Sequence, residues 1–223
     1  MSIRPRWPLI LCICLAAQAS AAAPSVCVHP DLDAFLDRSR PAIQFQGTFF
    51  PSPAATYLPL EVGGQRLQWM GVSWGSFDGA LFVLDCAGNR LAALPLGYLQ
   101  RLRPGPSVPG LGQTLEVVYT STFGSGVLNN TVKLVAFFSG SLTVLWSHDE
   151  SGLLAMWERG EYDDTYLWRY LNQGTIIEIS GTRAVGDFKE PEHGWAPHSI
   201  HALPAETYCW KDSDKSYKPC GGK

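Results

Sequence analysis

Several features that mark common protein classes are missing from this 223-residue chain. There is no run of lysine and arginine, and acidic residues outnumber basic ones by 20 to 17, so a nucleic acid is not an expected partner. No apolar run has the length of a membrane-spanning helix. The absence of a C-x-x-C pair argues against a thiol-bound zinc. The classes that remain after these exclusions are an enzyme and a binding protein.

Sequence signatures of catalytic sites are also scarce. The chain contains no H-E-x-x-H helix, no P-loop and no Rossmann glycine pattern. Catalysis by a cysteine nucleophile is disfavoured, because the four cysteines that follow the N-terminal segment are more simply explained as disulfides. We therefore expect no cofactor, and we expect a non-enzymatic protein rather than an enzyme.

The N-terminus has the organisation of a secretory signal peptide. Arg4 and Arg6 form a basic region, residues 9–17 form a short apolar core, and small residues suitable for cleavage follow. We expect residues 1–23 to be removed and residues 24–223 to form a single β-rich domain. The expected product is soluble, does not insert into the membrane, and is periplasmic or secreted.

The cysteine count fits an exported protein. Cys27, Cys86, Cys209 and Cys220 remain after the leader, and an even number in an oxidising compartment indicates two disulfides. A hairpin near the C-terminus would bring Cys209 to Cys220. The other pair is then Cys27 with Cys86, which ties the N-terminal segment to a later hairpin.

Apolar runs separated by turn-forming residues recur along the chain. Glycine and asparagine tolerate positive φ, so the chain can reverse direction where they fall between two extended segments. Such positions occur at 63–64, 87–89, 139–141, 172–174 and 211–215. The pattern predicts an all-β, antiparallel fold built of repeated β-hairpins. A small or incomplete propeller and a sandwich both remain possible architectures.

Two segments depart from this hairpin pattern. Residues 24–40 are predicted to contain a short helix, which Asp31 or Asp33 caps and which ends before Pro41. Residues 101–112 are rich in proline and glycine, and this composition predicts a mobile surface loop.

The densest cluster of reactive side chains lies within residues 190–201. His193, His198 and His201 lie there with two glutamates and could converge on zinc or copper. Their spacing matches no standard zinc signature, and a strand would place His198 and His201 on opposite faces. We therefore expect a solvated loop without a tightly bound metal.

Three further positions are candidates for binding. Trp195 lies in a polar stretch, and an exposed tryptophan can anchor an interface. Asp163 and Asp164 end an acidic run that is expected to form a solvated turn and could face a basic partner. The pair His148 and Asp149 is interpreted as part of a polar turn.

These features favour an exported, non-enzymatic protein that binds a macromolecule, with a protein of the cell envelope as the expected partner. One form of this function is an inhibitor or immunity-type protein against a cell-wall enzyme, since an acidic surface speeds encounter with a basic enzyme. The alternatives are a metal-dependent or hydrolytic enzyme that uses the loop at 190–201, and a glycan-binding module that uses exposed aromatic residues.

Overall fold

The computed structural model describes residues 27–44, 53–74, 78–124, 127–156, 160–188 and 195–221. In these ranges the chain forms one helix, α1 (Leu32–Ile43), followed by twelve strands. The strands are β1 (Ala54–Val62), β2 (Gln65–Trp74), β3 (Asp78–Asp85), β4 (Arg90–Leu96), β5 (Tyr98–Val108), β6 (Gly112–Gly124), β7 (Val127–Phe138), β8 (Ser141–Met156), β9 (Gly160–Leu171), β10 (Ile176–Phe188), β11 (Trp195–Lys211) and β12 (Ser216–Pro219). The predicted all-β fold class is confirmed.

The strands form two antiparallel sheets. One sheet contains β1 to β4 and the other contains β5 to β12, and within each sheet every strand pairs with its neighbours in sequence. Local turn signals specify such connections. Gly88, Gly140 and Gly174 lie in three of the predicted turns and have φ angles of 84°, 78° and 82°. The structure is thus a stack of two sheets, as in a sandwich, rather than a set of propeller blades.

The helix α1 covers the outer face of the four-stranded sheet. Asp31 caps it, because its Oδ1 accepts the N–H of Ala34 at 2.9 Å. Phe35, Leu36 and Ile43 are buried against this sheet. The predicted end of the helix before Pro41 is wrong, since a proline in the last turn removes only one hydrogen bond and the burial of Ile43 offsets that loss.

The other face of the four-stranded sheet packs on the first strands of the eight-stranded sheet. The shared core contains Leu67, Trp69, Leu81 and Val83 from one sheet and Leu115, Val117, Val135 and Phe137 from the other. The chain passes between the sheets through one residue, Gly97. A Cβ atom there would lie 1.8 Å from the carbonyl oxygen of Thr120, so this close approach requires glycine.

The prediction of a mobile surface loop at residues 101–112 is largely wrong, because β5 extends to Val108. The prolines of this segment are tolerated because β5 is the edge strand of its sheet. Pro104 lies opposite Leu115 on β6, and a proline on an edge strand need not interrupt the ladder when its nitrogen faces away from the neighbouring strand. Composition alone does not reveal which strand will occupy an edge.

Both predicted disulfides are present. Cys27 and Cys86 join the segment before α1 to the turn between β3 and β4, and Cys209 and Cys220 join β11 to the end of the chain after β12. In the part of the chain that the structure describes, no helix combines the length and apolar character needed to span a membrane.

Candidate functional site

The eight-stranded sheet opens between β8 and β9. The pairing of these strands stops at Ser151 and Thr165, and the rest of each strand keeps only its other neighbour. Aromatic side chains fill the opening, and we call them the inner aromatic cluster: Trp146, His148, Tyr166, Trp168, Tyr170 and Tyr208. Strands β9 to β12 therefore fold back over the inner face of β5 to β8.

The rings of the inner aromatic cluster contact one another. The centroid of His148 lies 4.8 Å from that of Tyr166 and 5.8 Å from that of Trp146. Trp146 is 4% exposed, and its indole N–H has no acceptor among the described residues. The indole N–H of Trp69, in the core between the two sheets, likewise has no acceptor among the described residues, so this feature is not particular to the opening.

A buried carboxylate lies beside this cluster. Glu116 on β6 is 1% exposed, and its Oε2 accepts hydrogen bonds of 2.8 Å from both the Trp168 indole and the Tyr170 hydroxyl. The guanidinium of Arg103 donates to the same oxygen at 2.9 Å, and its Nε lies 2.6 Å from Oε1. A charge this deep needs partners: Oε2 accepts three hydrogen bonds, and Oε1 has ion-pair contacts with Arg103 and Arg101, so Glu116 fixes β9 against β5 and β6.

The contacts with Glu116 also shift the pKa values of two of its hydrogen-bond donors, Arg103 and Tyr170. The hydrogen bond to Glu116 raises the pKa of Arg103 above its ordinary value, so this guanidinium stays charged. Burial raises the pKa of Tyr170, and the negative charge of Glu116 raises it further. The tyrosine therefore remains a hydrogen-bond donor throughout the neutral range.

Two arginines lie at the rim of the cluster. Arg101 pairs with Glu150 at 2.8 Å, and about half of the side-chain surface of Arg101 and Arg103 is exposed. Their guanidinium carbons lie 5.9 and 5.8 Å from the centre of the Trp168 ring, within range of a cation–π interaction. The rim is thus charged, accessible and held in place.

His148 connects the two sides of the opening. Its Nε2 lies 3.5 Å from Glu206 on β11, and the other oxygen of Glu206 accepts the Tyr208 hydroxyl at 2.6 Å. Burial, together with the bond to Glu206, raises the pKa of Tyr208 to about 12. The predicted polar turn at His148 and Asp149 is wrong, because β8 continues through both residues.

A chain of neutral polar side chains crosses four strands next to this rim, and we call it the polar row: Gln100, Thr120, Asn130 and Ser151. The Gln100 amide donates to Thr120 at 3.0 Å, and the Thr120 hydroxyl donates to Asn130 at 3.0 Å. The Asn130 amide then donates to Ser151 at 3.1 Å. Hydrogen bonds thus link β5, β6, β7 and β8 along one line.

No protein-family model, curated protein or solved structure matches this chain. The geometry of the opening is therefore the basis for assigning a function.

Of the three histidines considered as metal ligands, the two that the structure describes lie outside the opening between β8 and β9. His198 and His201 are exposed on β11, and His201 contacts Ser199 at 3.1 Å. His193 lies outside the described residues, and Trp195 begins β11 but its side chain is also outside them. Within the described ranges no group of three histidine, cysteine, aspartate or glutamate residues is arranged to hold a metal ion.

The acidic pair on β9 has a partner within the chain. Both carboxylate oxygens of Asp164 accept hydrogen bonds of 2.7 Å from Arg183 on β10. Burial raises the pKa of Asp163, and the charge of Asp164 adds to this effect. The expected solvated turn is wrong for residues 160–164, which belong to β9.

No nucleophile elbow of the G-x-S-x-G type is expected, but one pentapeptide, residues 71–75, matches this pattern of serine hydrolases. Its serine, Ser73, is buried within β2 and accepts the backbone N–H of Leu99 at 2.9 Å. The motif requires a sharp strand-to-helix turn, whereas β2 is followed by the antiparallel strand β3. Ser73 therefore joins the two sheets and is not placed as a nucleophile.

A separate cleft of about 600 Å³ lies near the first disulfide. His29 and Tyr57 line it, but their rings stack on each other with centroids 3.8 Å apart. Each ring covers one face of the other, and Glu61 and Arg66 at the rim are exposed. Gln68 also lines this cleft and is buried, but its amide donates to a backbone carbonyl oxygen of the segment before α1 at 2.9 Å, so it serves to hold that segment.

The sequence contains two signals for the observed site that the motif search does not use. Arg101 and Arg103 are two residues apart, which places them on one face of a strand. Glu116 lies within an otherwise apolar and β-branched strand, so burial of its carboxylate could be anticipated. Their aromatic partners could not be identified, because Trp168 is 52 residues from Glu116.

Proposed function

We propose that this chain is an exported, non-enzymatic protein that binds a macromolecule of the cell envelope at the opening between β8 and β9. The observation that carries the proposal is the combination of accessible arginines at the rim with half-buried aromatic rings beside them. Binding sites typically combine an aromatic surface with a small number of polar groups in fixed positions. The two disulfides fit the oxidising compartment that export implies.

The pairing of the carboxylates favours binding over catalysis. A general acid or base must be able to reach a proton on a bound substrate. Glu116 already accepts from Arg103, Trp168 and Tyr170, and Glu150 is paired with Arg101. These groups are arranged to hold side chains in fixed positions, which suits recognition.

An arginine substitution tests this proposal, and the chain offers a matched control. Arg101→Ala removes a half-exposed guanidinium from the rim, whereas Arg169→Ala removes one from the opposite face of β9, where it pairs with Glu178. Arg169→Ala loses one exposed ion pair, which contributes little to stability. Arg101 pairs with Glu150 and also lies 3.8 Å from the buried Glu116, so melting curves first verify that both variants are folded. We expect capture of an envelope component by the mature protein to weaken on the order of tenfold in Arg101→Ala and to stay unchanged in Arg169→Ala.

Equal capture by both variants would refute the assigned surface. Mass spectrometry and carbohydrate analysis of the captured material then identify its class. An envelope enzyme that Arg101→Ala releases supports the inhibitor form of this function, and a polysaccharide supports the glycan-binding form.

A further inference from the structure

We infer that the ligand is a neutral, hydroxyl-rich glycan, and that the polar row of Gln100, Thr120, Asn130 and Ser151 binds its hydroxyl groups. This inference rests on the proposed function, because it concerns the same opening in the eight-stranded sheet. It identifies the chemical class of the partner and the residues that select it.

Three strand pairs lose register where the polar row crosses the sheet. The shifts leave Gln100 on β5, Ser121 on β6 and Glu150 on β8 without a direct partner opposite. A β-bulge leaves a residue out of the ladder and redirects its side chain, and bulges are common beside functional sites. Their alignment at one level turns Gln100 toward Thr120 and Glu150 toward Arg101.

The hydrogen bonds within the polar row leave both donors and acceptors available. After the internal bonds are made, Gln100 keeps its carbonyl oxygen and one N–H, Asn130 keeps one N–H, and Ser151 keeps its O–H. An anion uses only donors, and an ammonium group uses only acceptors. A hydroxyl group both donates and accepts, so it is the ligand group that matches this mixture.

The charges beside the row do not select a charged ligand. The Arg101 side chain that borders the row is paired with Glu150, and Arg103 is paired with Glu116. Each positive charge is therefore offset by a carboxylate within hydrogen-bond distance. An acidic polysaccharide would have to compete with these carboxylates for the arginines.

The aromatic end of the site supplies the second surface that a sugar needs. Tyr166 is half-buried, its ring packs edge-on against His148, and a Cβ at Gly181 would lie 2.7 Å from that ring. The apolar C–H face of a pyranose packs favourably on such a ring, while its hydroxyls bind polar groups.

The test measures binding of the mature protein to an array of neutral and acidic oligosaccharides, followed by titration of the best ligand. Gln100→Ala and Ser151→Ala should each weaken binding on the order of tenfold, since each removes about one hydrogen bond. The controls are Gln65→Ala and Ser213→Ala, which remove the same side chains from exposed positions at the start of β2 and in the turn after β11. The controls should bind as the unmodified protein does, and melting curves verify that all four variants are folded.

The outcomes separate this inference from the proposed function. A preference for neutral glycans that both row variants weaken supports the inference. Capture of an envelope component that depends on Arg101 but not on Gln100 or Ser151, or a preference for acidic glycans or for a protein, refutes the inference and leaves the proposed function in place. If no envelope component is captured in an Arg101-dependent way, the proposed function itself is refuted.

Discussion

At the scale of single residues, Glu116 is the most constrained side chain of the site. Its carboxylate is buried, and its donors come from β5 and β9, which are not adjacent in the sheet. The same hydrogen bonds orient the Trp168 indole, over which the two rim arginines lie. A change at Glu116 should therefore affect both stability and the shape of the opening.

We predict that Glu116→Gln lowers the free energy of unfolding by about 2 kcal/mol, because it removes the charge from a carboxylate oxygen that accepts three hydrogen bonds, and a hydrogen bond to a charged group contributes about 1.5 to 3 kcal/mol. An amide also replaces one acceptor by a donor that faces the existing donors. Urea unfolding measures the change.

The matched control is Glu178→Gln, which breaks the exposed pair with Arg169. It should cost less than about 1 kcal/mol. Equal losses in the two variants would mean that the buried pair has no special role.

The residues of the site were only partly accessible from the sequence. Cysteine pairing depends on count and local hairpins, so both disulfides could be predicted. The contact of Glu116 with Trp168 depends on how the sheet curls between β8 and β9, and nothing local encodes that curl. His198 and His201 drew attention by proximity in sequence, but the structure places them on the exposed edge region of β11, outside the inner aromatic cluster.

At the scale of elements, local chemistry explains which predictions succeeded. The turns at Gly88, Gly140 and Gly174 require positive φ, and a short-range signal specifies them. No comparable local signal specifies how far β5 extends or where α1 ends. Pro104 is tolerated because β5 is at a sheet edge, and Pro41 is tolerated because it lies in the last turn of α1. Whether a proline ends an element therefore depends on where that element lies in the fold.

The last strand is held by a side chain as well as by a disulfide. Tyr217 on β12 is buried, and its hydroxyl donates a hydrogen bond to the carbonyl oxygen of Gly174 in the turn between β9 and β10. Burial raises the pKa of Tyr217 to about 12. The attachment of β12 therefore depends on a neutral tyrosine.

We predict that the protein loses stability as the pH rises from about 10 to about 12. A tyrosine in the unfolded chain ionises near pH 10, whereas Tyr208 and Tyr217 keep their protons to about pH 12 in the folded state. The unfolded state therefore binds fewer protons than the folded state in this window. The stabilisation that the two tyrosines provide is complete below about pH 10 and is lost between about pH 10 and pH 12. Urea unfolding at a series of alkaline pH values measures the slope.

Tyr217→Phe should make that slope shallower, because it removes one of the groups that titrate. It should also lower the free energy of unfolding at neutral pH by about 1 kcal/mol through loss of the bond to Gly174. A variant whose alkaline slope equals that of the unmodified protein would contradict the role given to Tyr217.

At the scale of the whole molecule, the two sheets have different tasks. The four-stranded sheet is buried on both faces, by α1 and by the eight-stranded sheet, and it serves as a rigid support. The eight-stranded sheet folds back on itself, and its opening between β8 and β9 holds the polar row and the inner aromatic cluster. Binding sites are commonly built on such a rigid scaffold.

The most direct test of the proposed binding surface is amide hydrogen exchange of residues 24–223 with and without an envelope component that they capture. We predict protection on binding in peptides that contain residues 100–103, 148–151 and 166–168, which carry the rim arginines, both ends of the polar row and part of the inner aromatic cluster. Protection confined to the cleft near His29 and Tyr57, or to His198 and His201 on β11, would contradict the assignment of the opening between β8 and β9 as the binding site.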